Sequence, residues 1–241
     1  HGTHVAGIIV SNTLDNVTVH AYKALNSEGS GTVSQISLAI DAAIEDGVDI
    51  INLSMSMKGF SNALQKSVKK AYDAGISVIV AAGNNRANLS SSSYSPACFD
   101  ECITVMSCSN SRVILNSSNY GTPCDFAAPG ENILSTYLNN SFKLSTGTSM
   151  AAPFICSAAA YLLAKDDTLS PEEIRNALGE NYEWCTGSVT GKCVIPSDLI
   201  PIDGFAPKPE FVTKSGDFIG KMYVEFEDSE EYDIFYYLDG A

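Results

Sequence analysis

Val48-Asp49-Ile50-Ile51-Asn52-Leu53-Ser54 and Ile76-Ser77-Val78-Ile79-Val80-Ala81-Ala82 are short, nearly unbroken apolar runs. Runs of this length without polar alternation suit strands covered on both faces, as in a parallel sheet. The residues between them have a different period. Over 61–74, Leu64, Val68, Ala71 and Tyr72 share one stripe, Lys66, Lys69 and Lys70 face the other way, and Gly75 stops the helix. Upstream, 17–25 alternates like a strand, and 32–46 places Ile36, Ala39, Ile40, Ala43 and Ile44 on one helical face before Gly47. Downstream, strands are expected near 102–107, 124–128, 132–137 and 142–145, followed by a small-residue helix over about 148–164. Ser170-Pro171-Glu172-Glu173 is a capping box with Pro at the first helical position, opening a last helix to about 179. Strands alternating with helices at this spacing predict an α/β fold: a mostly parallel central sheet with helices on both faces. Ligands meet such sheets at the carboxyl ends of the strands, where Ser54 and Asn84 fall.

The texture changes near Pro196. Residues 1–195 read as one core. Residues 196–241 read as a linker and the start of an acidic, aromatic, β-rich extension, with Pro201, Pro207 and Pro209 followed by Tyr223, Phe226, Tyr232 and Phe235. Of the net charge of −14, residues 198–241 contribute 11 acids against 3 bases. Without a basic footprint, nucleic acid and anionic membrane surfaces are poor partners. No run of about 18 apolar residues suggests a membrane span. The chain begins inside a motif rather than at Met, so it is expected to be part of something longer.

Seven cysteines occur, at 98, 102, 108, 124, 156, 185 and 193. Cys156 falls in the small-residue helix and is expected to be a buried thiol. The other six allow three disulfides in fifteen connectivities, with Cys185 and Cys193 flanking a Gly-containing turn that could close locally. Asn16, Asn52, Asn88, Asn116 and Asn139 each head an N-x-S/T triplet. Together these features suit a secreted or cell-surface glycoprotein.

The chemistry concentrates in two motifs. Gly147-Thr148-Ser149-Met150-Ala151-Ala152-Pro153 puts a serine at the mouth of a small-residue helix, and the chain opens on His1-Gly2-Thr3-His4-Val5-Ala6-Gly7. A serine nucleophile needs an unhindered hydroxyl, a neutral imidazole to take its proton, and donors aimed at the developing oxyanion. Ser149 has small neighbours and sits where helix N–H groups and the positive dipole end converge. Pro153 is expected in the first helical turn. His1 and His4, three apart, share a face of a presumptive helix, and Asn84, after Gly83 at a strand end, offers an amide donor. His20 alternates on its strand and reads as a surface residue.

His1-Gly2-Thr3-His4-Val5-Ala6-Gly7, Ile51-Asn52-Leu53-Ser54, Ala81-Ala82-Gly83-Asn84 and Gly147 to Pro153, in this order, resemble the subtilisin-like serine proteases, the subtilases, over about 1–185. The resemblance implies His1 as general base, Ser149 as nucleophile, and Asn84 as oxyanion donor beside the Ser149 N–H. It implies a polypeptide substrate bound as an added strand between Gly29-Ser30-Gly31 and Ser54-Met55-Ser56. It also implies a pocket lined by Ala81-Ala82-Gly83 with Ser93 near its base. No carboxylate matches there, which suggests neutral or apolar side chains before the scissile bond. A propeptide is a further partner the family implies. The family's orienting Asp precedes the histidine, so it is expected upstream of this chain. Asp15, Asp49 and Asp125 are not candidates for it. Without that Asp and its strand, an open sheet edge, poor folding and near-inactivity of 1–241 are expected.

No cofactor is required and no metal ligands are assigned. The segment after the histidine helix is short for the calcium site often formed there in the family. Ser56-Met57 stand where the family usually has Gly-Gly, Met106-Ser107 where it has Gly-Ala, and Phe154 where His is common. Two other α/β readings fail: an α/β-hydrolase needs a histidine after its nucleophile, and Gly29-Ser30-Gly31 lacks the third Gly of a dinucleotide fingerprint. The remaining alternative is a non-catalytic subtilase-like binding or adhesion domain.

Overall fold

The two apolar runs form the centre of the sheet. In the computed structural model, which describes residues 1–13, 17–180, 183–186, 192–193, 222–224 and 233–236, both strands are buried at every residue. For the strands after residue 182 only the backbone is described. In chain order the elements are α1 (Gly2–Val10), β1 (Thr18–Ala21), α2 (Val33–Asp46), β2 (Ile50–Leu53), β3 (Met57–Lys58), α3 (Asn62–Asp73), β4 (Ser77–Ala81), β5 (Tyr94–Ser95) and β6 (Cys102–Cys108). There follow β7 (Phe126–Pro129), β8 (Ile133–Tyr137), β9 (Ser141–Ser145), α4 (Thr148–Lys165), α5 (Pro171–Leu178), β10 (Glu183–Trp184), β11 (Lys192–Cys193), β12 (Met222–Val224) and β13 (Asp233–Tyr236).

Nine strands make the main sheet in the order β10-β11-β7-β6-β4-β2-β13-β1-β12. It is parallel except for the outermost pairs, β10 with β11 and β1 with β12. Side chains alternate between two helical layers. Ile50, Ile79 and Ile103 pack under α1, α4 and α5 with Ile9, Ile155 and Ile174. Ile51, Val78 and Val80 pack against α2 and α3 with Ile36, Ile40, Leu64 and Val68. Each such fully buried side chain contributes about 1.5–3 kcal/mol over leaving it in water. The helices start where the sequence places stop-and-cap residues. Thr32 and Ser170 form complete capping boxes with Gln35 and Glu173, and Ser61 accepts from Leu64 N–H. Each cap contributes about 1 kcal/mol.

The expected open edge is not present. β1 and β2 do not pair with each other; β13, from the C-terminal extension, lies between them and runs parallel to both. Its backbone aligns Ile234 with Val19 on one side and with Ile50 on the other. Strand edges left without partners are costly when covered by helices, and β13 supplies those partners. The linker expected from 196 lies outside the described residues.

β8 and β9 form a separate hairpin seated on α1. Ser135 Oγ donates to the His4 carbonyl at 2.7 Å and Thr136 Oγ1 to the Thr3 carbonyl at 2.8 Å. The seat exists because Gly7 has no side chain: a Cβ there would overlap both hydroxyl oxygens. We expect Gly7→Ala to push the hairpin off the helix and lower stability by about 1–3 kcal/mol, measured by urea unfolding. An unchanged midpoint would show that the hairpin yields without cost.

Cys156 is fully buried, as expected, and donates to Asn52 Oδ1 at 3.3 Å. The three-bridge framework is not formed: Cys98, Cys102, Cys124 and Cys156 carry free thiols. Burial pushes the Cys124 thiol up to about 12 and Cys102 and Cys156 well above the ordinary thiol range. The side chain of Cys193, the expected partner of Cys185, lies outside the described residues.

Candidate active site

β2 and β4 run in parallel and deliver Ser54 and Gly83-Asn84 to one edge of the sheet, where α4 begins. Ser149 is the second residue of α4 and half-buried. Its Oγ donates to the Ser54 carbonyl at 3.2 Å, and Ser54 Oγ donates to the Ser149 carbonyl at 2.9 Å. Behind Ser54, Asn52 Nδ2 donates to Ser54 Oγ at 3.0 Å. Pro153 explains the second of the Ser54 contacts. It lies six residues into α4, past the first turn where it is expected, and its missing N–H is the one that would bond the Ser149 carbonyl. Ser54 fills that vacancy.

The N-terminus of α4 is tied to the Asn84 side chain. Thr148 N–H donates to Asn84 Oδ1 at 2.9 Å, and Thr148 Oγ1 accepts from Gly83 N–H at 3.1 Å. With its oxygen occupied, the exposed Asn84 amide keeps its NH₂ for another acceptor. Gly147, at φ 152°, lets the amide approach: a Cβ there would stand 3.1 Å from Asn84 Nδ2. The Ser149 N–H, in the first helical turn, has no acceptor within the helix.

Beside this cluster is a cleft of about 450 Å³, lined among others by His1, His4, Gly29, Ser54, Met55 and Ser56. Further wall is provided by Glu28 from the 26–31 turn and by Tyr137 and Lys143 from the hairpin. His1 is the exposed N-cap of α1 rather than a residue within it, whereas His4 is buried. The other expected residues spread around the cleft. Ser30 and Gly31 are exposed in the turn after Gly29, with the Ser30 carbonyl accepting from Asn26 N–H. Ala81 and Ala82 are buried at the end of β4 and just beyond it, and Gly83 lies against Ser56. Ser93 is exposed, its carbonyl accepting from Gly59 N–H at 2.9 Å, and it does not line this cleft. Asp125 is held elsewhere, accepting from Thr104 N–H at 2.7 Å and pairing with Arg175 at 3.6 Å. Asp15 lies outside the described residues. Among the described residues, no group of three or more His, Cys, Asp or Glu could hold a metal ion.

His4 Nε2 faces two carbonyls, Ile133 at 3.1 Å and Lys143 at 2.9 Å, so it must carry the proton of a neutral ring. Nδ1 is buried without a partner. Burial lowers the His4 pKa from the ordinary 6.5, outweighing the two carbonyls. The unfolded chain therefore takes up this proton first on acidification. Stability is present above pH 6.5 and is lost as pH falls through 6.5 toward the folded pKa. His4→Gln is expected to flatten the Tm profile between pH 7.5 and 5; an equal slope in the variant would place the acid sensitivity elsewhere.

Comparison with known proteins places the chain in a family. The Subtilase family model matches residues 1–192. Subtilisin DY of Bacillus licheniformis is 40% identical over 187 residues, covering 74% of this chain and 68% of that protein. The extracellular serine proteinase of Thermus sp. (strain Rt41A) is 38% identical over 185 residues, covering 74% of this chain and 44% of its own length. Among solved structures, a cold adapted subtilisin-like serine proteinase superposes with a TM-score of 0.66 at 30% identity, over 70% of this chain and 63% of that one. The chain thus spans about two thirds of subtilisin DY and under half of the Thermus proteinase. With its family model matched from the first histidine through both motifs, the chain belongs to the subtilase family.

Proposed function

We propose that the protein is a serine endopeptidase that cleaves polypeptides by acyl transfer through Ser149. Ser149 Oγ attacks the scissile carbonyl while the His1 imidazole takes its proton. Asn84 Nδ2 and the Ser149 N–H hold the oxyanion. His1 then protonates the leaving amine, and water releases the acyl group by the same steps in reverse. The observation that carries this reading is the joining of Asn84 to the N-terminus of α4 through Thr148 N–H, one residue before Ser149. That bond holds the residue with a side-chain donor against the helix start with its free backbone donor, which supports a shared oxyanion site.

The carboxylate that orients His1 comes from upstream of the chain, and no cofactor takes part. Substrate lies as an added strand between 29–31 and 54–56, with neutral or apolar side chains before the scissile bond. A propeptide precedes the mature enzyme. Secretion is supported by relatives whose names call them extracellular. If glycans are added, Asn88, Asn116 and Asn139 are exposed to receive them, whereas Asn52 is fully buried. The reading is tested by exposing the natural full-length protein to a fluorophosphonate probe and mapping the label. Labelling of Ser149 together with peptide hydrolysis supports it; peptide binding without labelling or turnover assigns a non-catalytic binding domain.

A further inference from the structure

Asn119 lies in the loop between β6 and β7 and is fully buried, yet it is bound on every side to the segment that carries Asn84. Its Nδ2 donates to the Ala82 carbonyl at 2.7 Å. Its Oδ1 accepts from Asn85 N–H at 3.0 Å and Ala87 N–H at 2.9 Å. Its own N–H donates to the Gly83 carbonyl at 2.8 Å. One residue therefore bonds the backbone before, within and after the turn, and three of its four side-chain hydrogen-bonding positions are used there. Asn119 is in turn fixed to the sheet: Ser118 Oγ donates to the Asn119 carbonyl at 2.9 Å and accepts from Ser107 N–H of β6 at 3.2 Å.

The turn is also pressed against Asn119. Gly83 has φ +98°, and a Cβ there would stand 2.5 Å from Asn119 Nδ2 and 2.8 Å from Ser56 Oγ. The backbone is thus clamped between a buried amide and the rim of the cleft. Asn84 itself is exposed, and among the described residues its side chain is hydrogen-bonded at Thr148 N–H alone. An exposed donor held at one point is well placed only if the backbone beneath it cannot move, since oxyanion stabilisation depends on donors that need no reorganisation during reaction.

We infer that Asn119 is a positioning residue for the oxyanion donor: it fixes the 82–87 turn so that Asn84 Nδ2 stays where the negative charge develops. The inference rests on the peptidase reading and on Asn84 as donor. Asn119 touches no substrate; its effect passes through Asn84.

The test is a double-mutant cycle in the natural full-length protein with a neutral peptide substrate. Asn119→Ala is expected to lower kcat about 10- to 100-fold with KM within about twofold. In an Asn84→Ala background the same change should cost less than about twofold, because the donor it positions is gone. Should Asn119→Ala not fold, Ser118→Ala keeps every Asn119 side-chain bond and removes only its tie to β6; it should give a smaller loss that also vanishes without Asn84. An unchanged kcat in these variants, or an equal loss with and without Asn84, overturns the positioning role while leaving the peptidase intact. A wild-type protein that neither labels with fluorophosphonate nor hydrolyses peptide overturns the peptidase reading first, and this inference with it.

Discussion

Ser149→Ala is expected to leave a folded protein whose peptide turnover falls by about 10⁶-fold in kcat, a scale established on a subtilisin. The structural change is small. One half-buried hydroxyl contact at 3.2 Å to the Ser54 carbonyl is lost, at a cost of about 1 kcal/mol or less. Ser54 Oγ still bonds the Ser149 carbonyl, so the start of α4 stays in place. Substrate affinity should be almost unchanged, since the cleft wall of His1, Gly29, Ser54, Met55 and Ser56 does not include the lost hydroxyl. Steady-state kinetics with a peptide substrate, together with loss of fluorophosphonate labelling, checks this. A variant keeping more than about a hundredth of wild-type kcat would mean that another group attacks the carbonyl.

Asn84→Ala should cost about 10²–10³-fold in kcat with little change in KM, again on a scale measured in a subtilisin. Here the side chain has a second duty, because its oxygen holds Thr148 N–H at 2.9 Å. Asn84→Asp separates the two. It keeps an oxygen for Thr148, and hence the helix start, but sets a negative charge where the oxyanion forms. We expect Asn84→Asp to match the wild type in thermal unfolding and to be at least as impaired as Asn84→Ala in kcat. If Asn84→Asp turned over normally, the oxyanion would have to be held by other donors.

The motifs were legible because they are local. Ile50–Leu53 and Ser77–Ala81 are short apolar runs that suit strands covered on both sides, and Ser170 to Glu173 carries its cap within four residues. Two motifs far apart in the chain gave the candidate nucleophile and base; His1 lines the cleft, and Ser149 bonds Ser54 of its wall. What could not be read depends on pairings distant in the chain. β13 meets β1 more than 200 residues away, and nothing in Asp233–Tyr236 distinguishes it from other short aromatic stretches. Asn119 is one polar residue among several in a serine-rich loop, and its importance appears only where the loop meets 82–87. The seat of the hairpin on α1 was hidden for a similar reason, since Gly7 looks like any small residue of a glycine-rich motif. Pro153 was misplaced by one turn because helix starts are read from caps, and Gly147 supplies no side-chain cap.

That proline has a thermal consequence. Helix tips ordinarily fray one turn at a time while the rest of the molecule stays folded. At the tip of α4 the missing rung is replaced by a hydroxyl from Ser54, the residue after β2, a strand in the middle of the sheet. Warming must therefore loosen the end of the central strand before it can displace Ser149, so loosening of the α4 tip on heating should coincide with melting of the sheet rather than precede it.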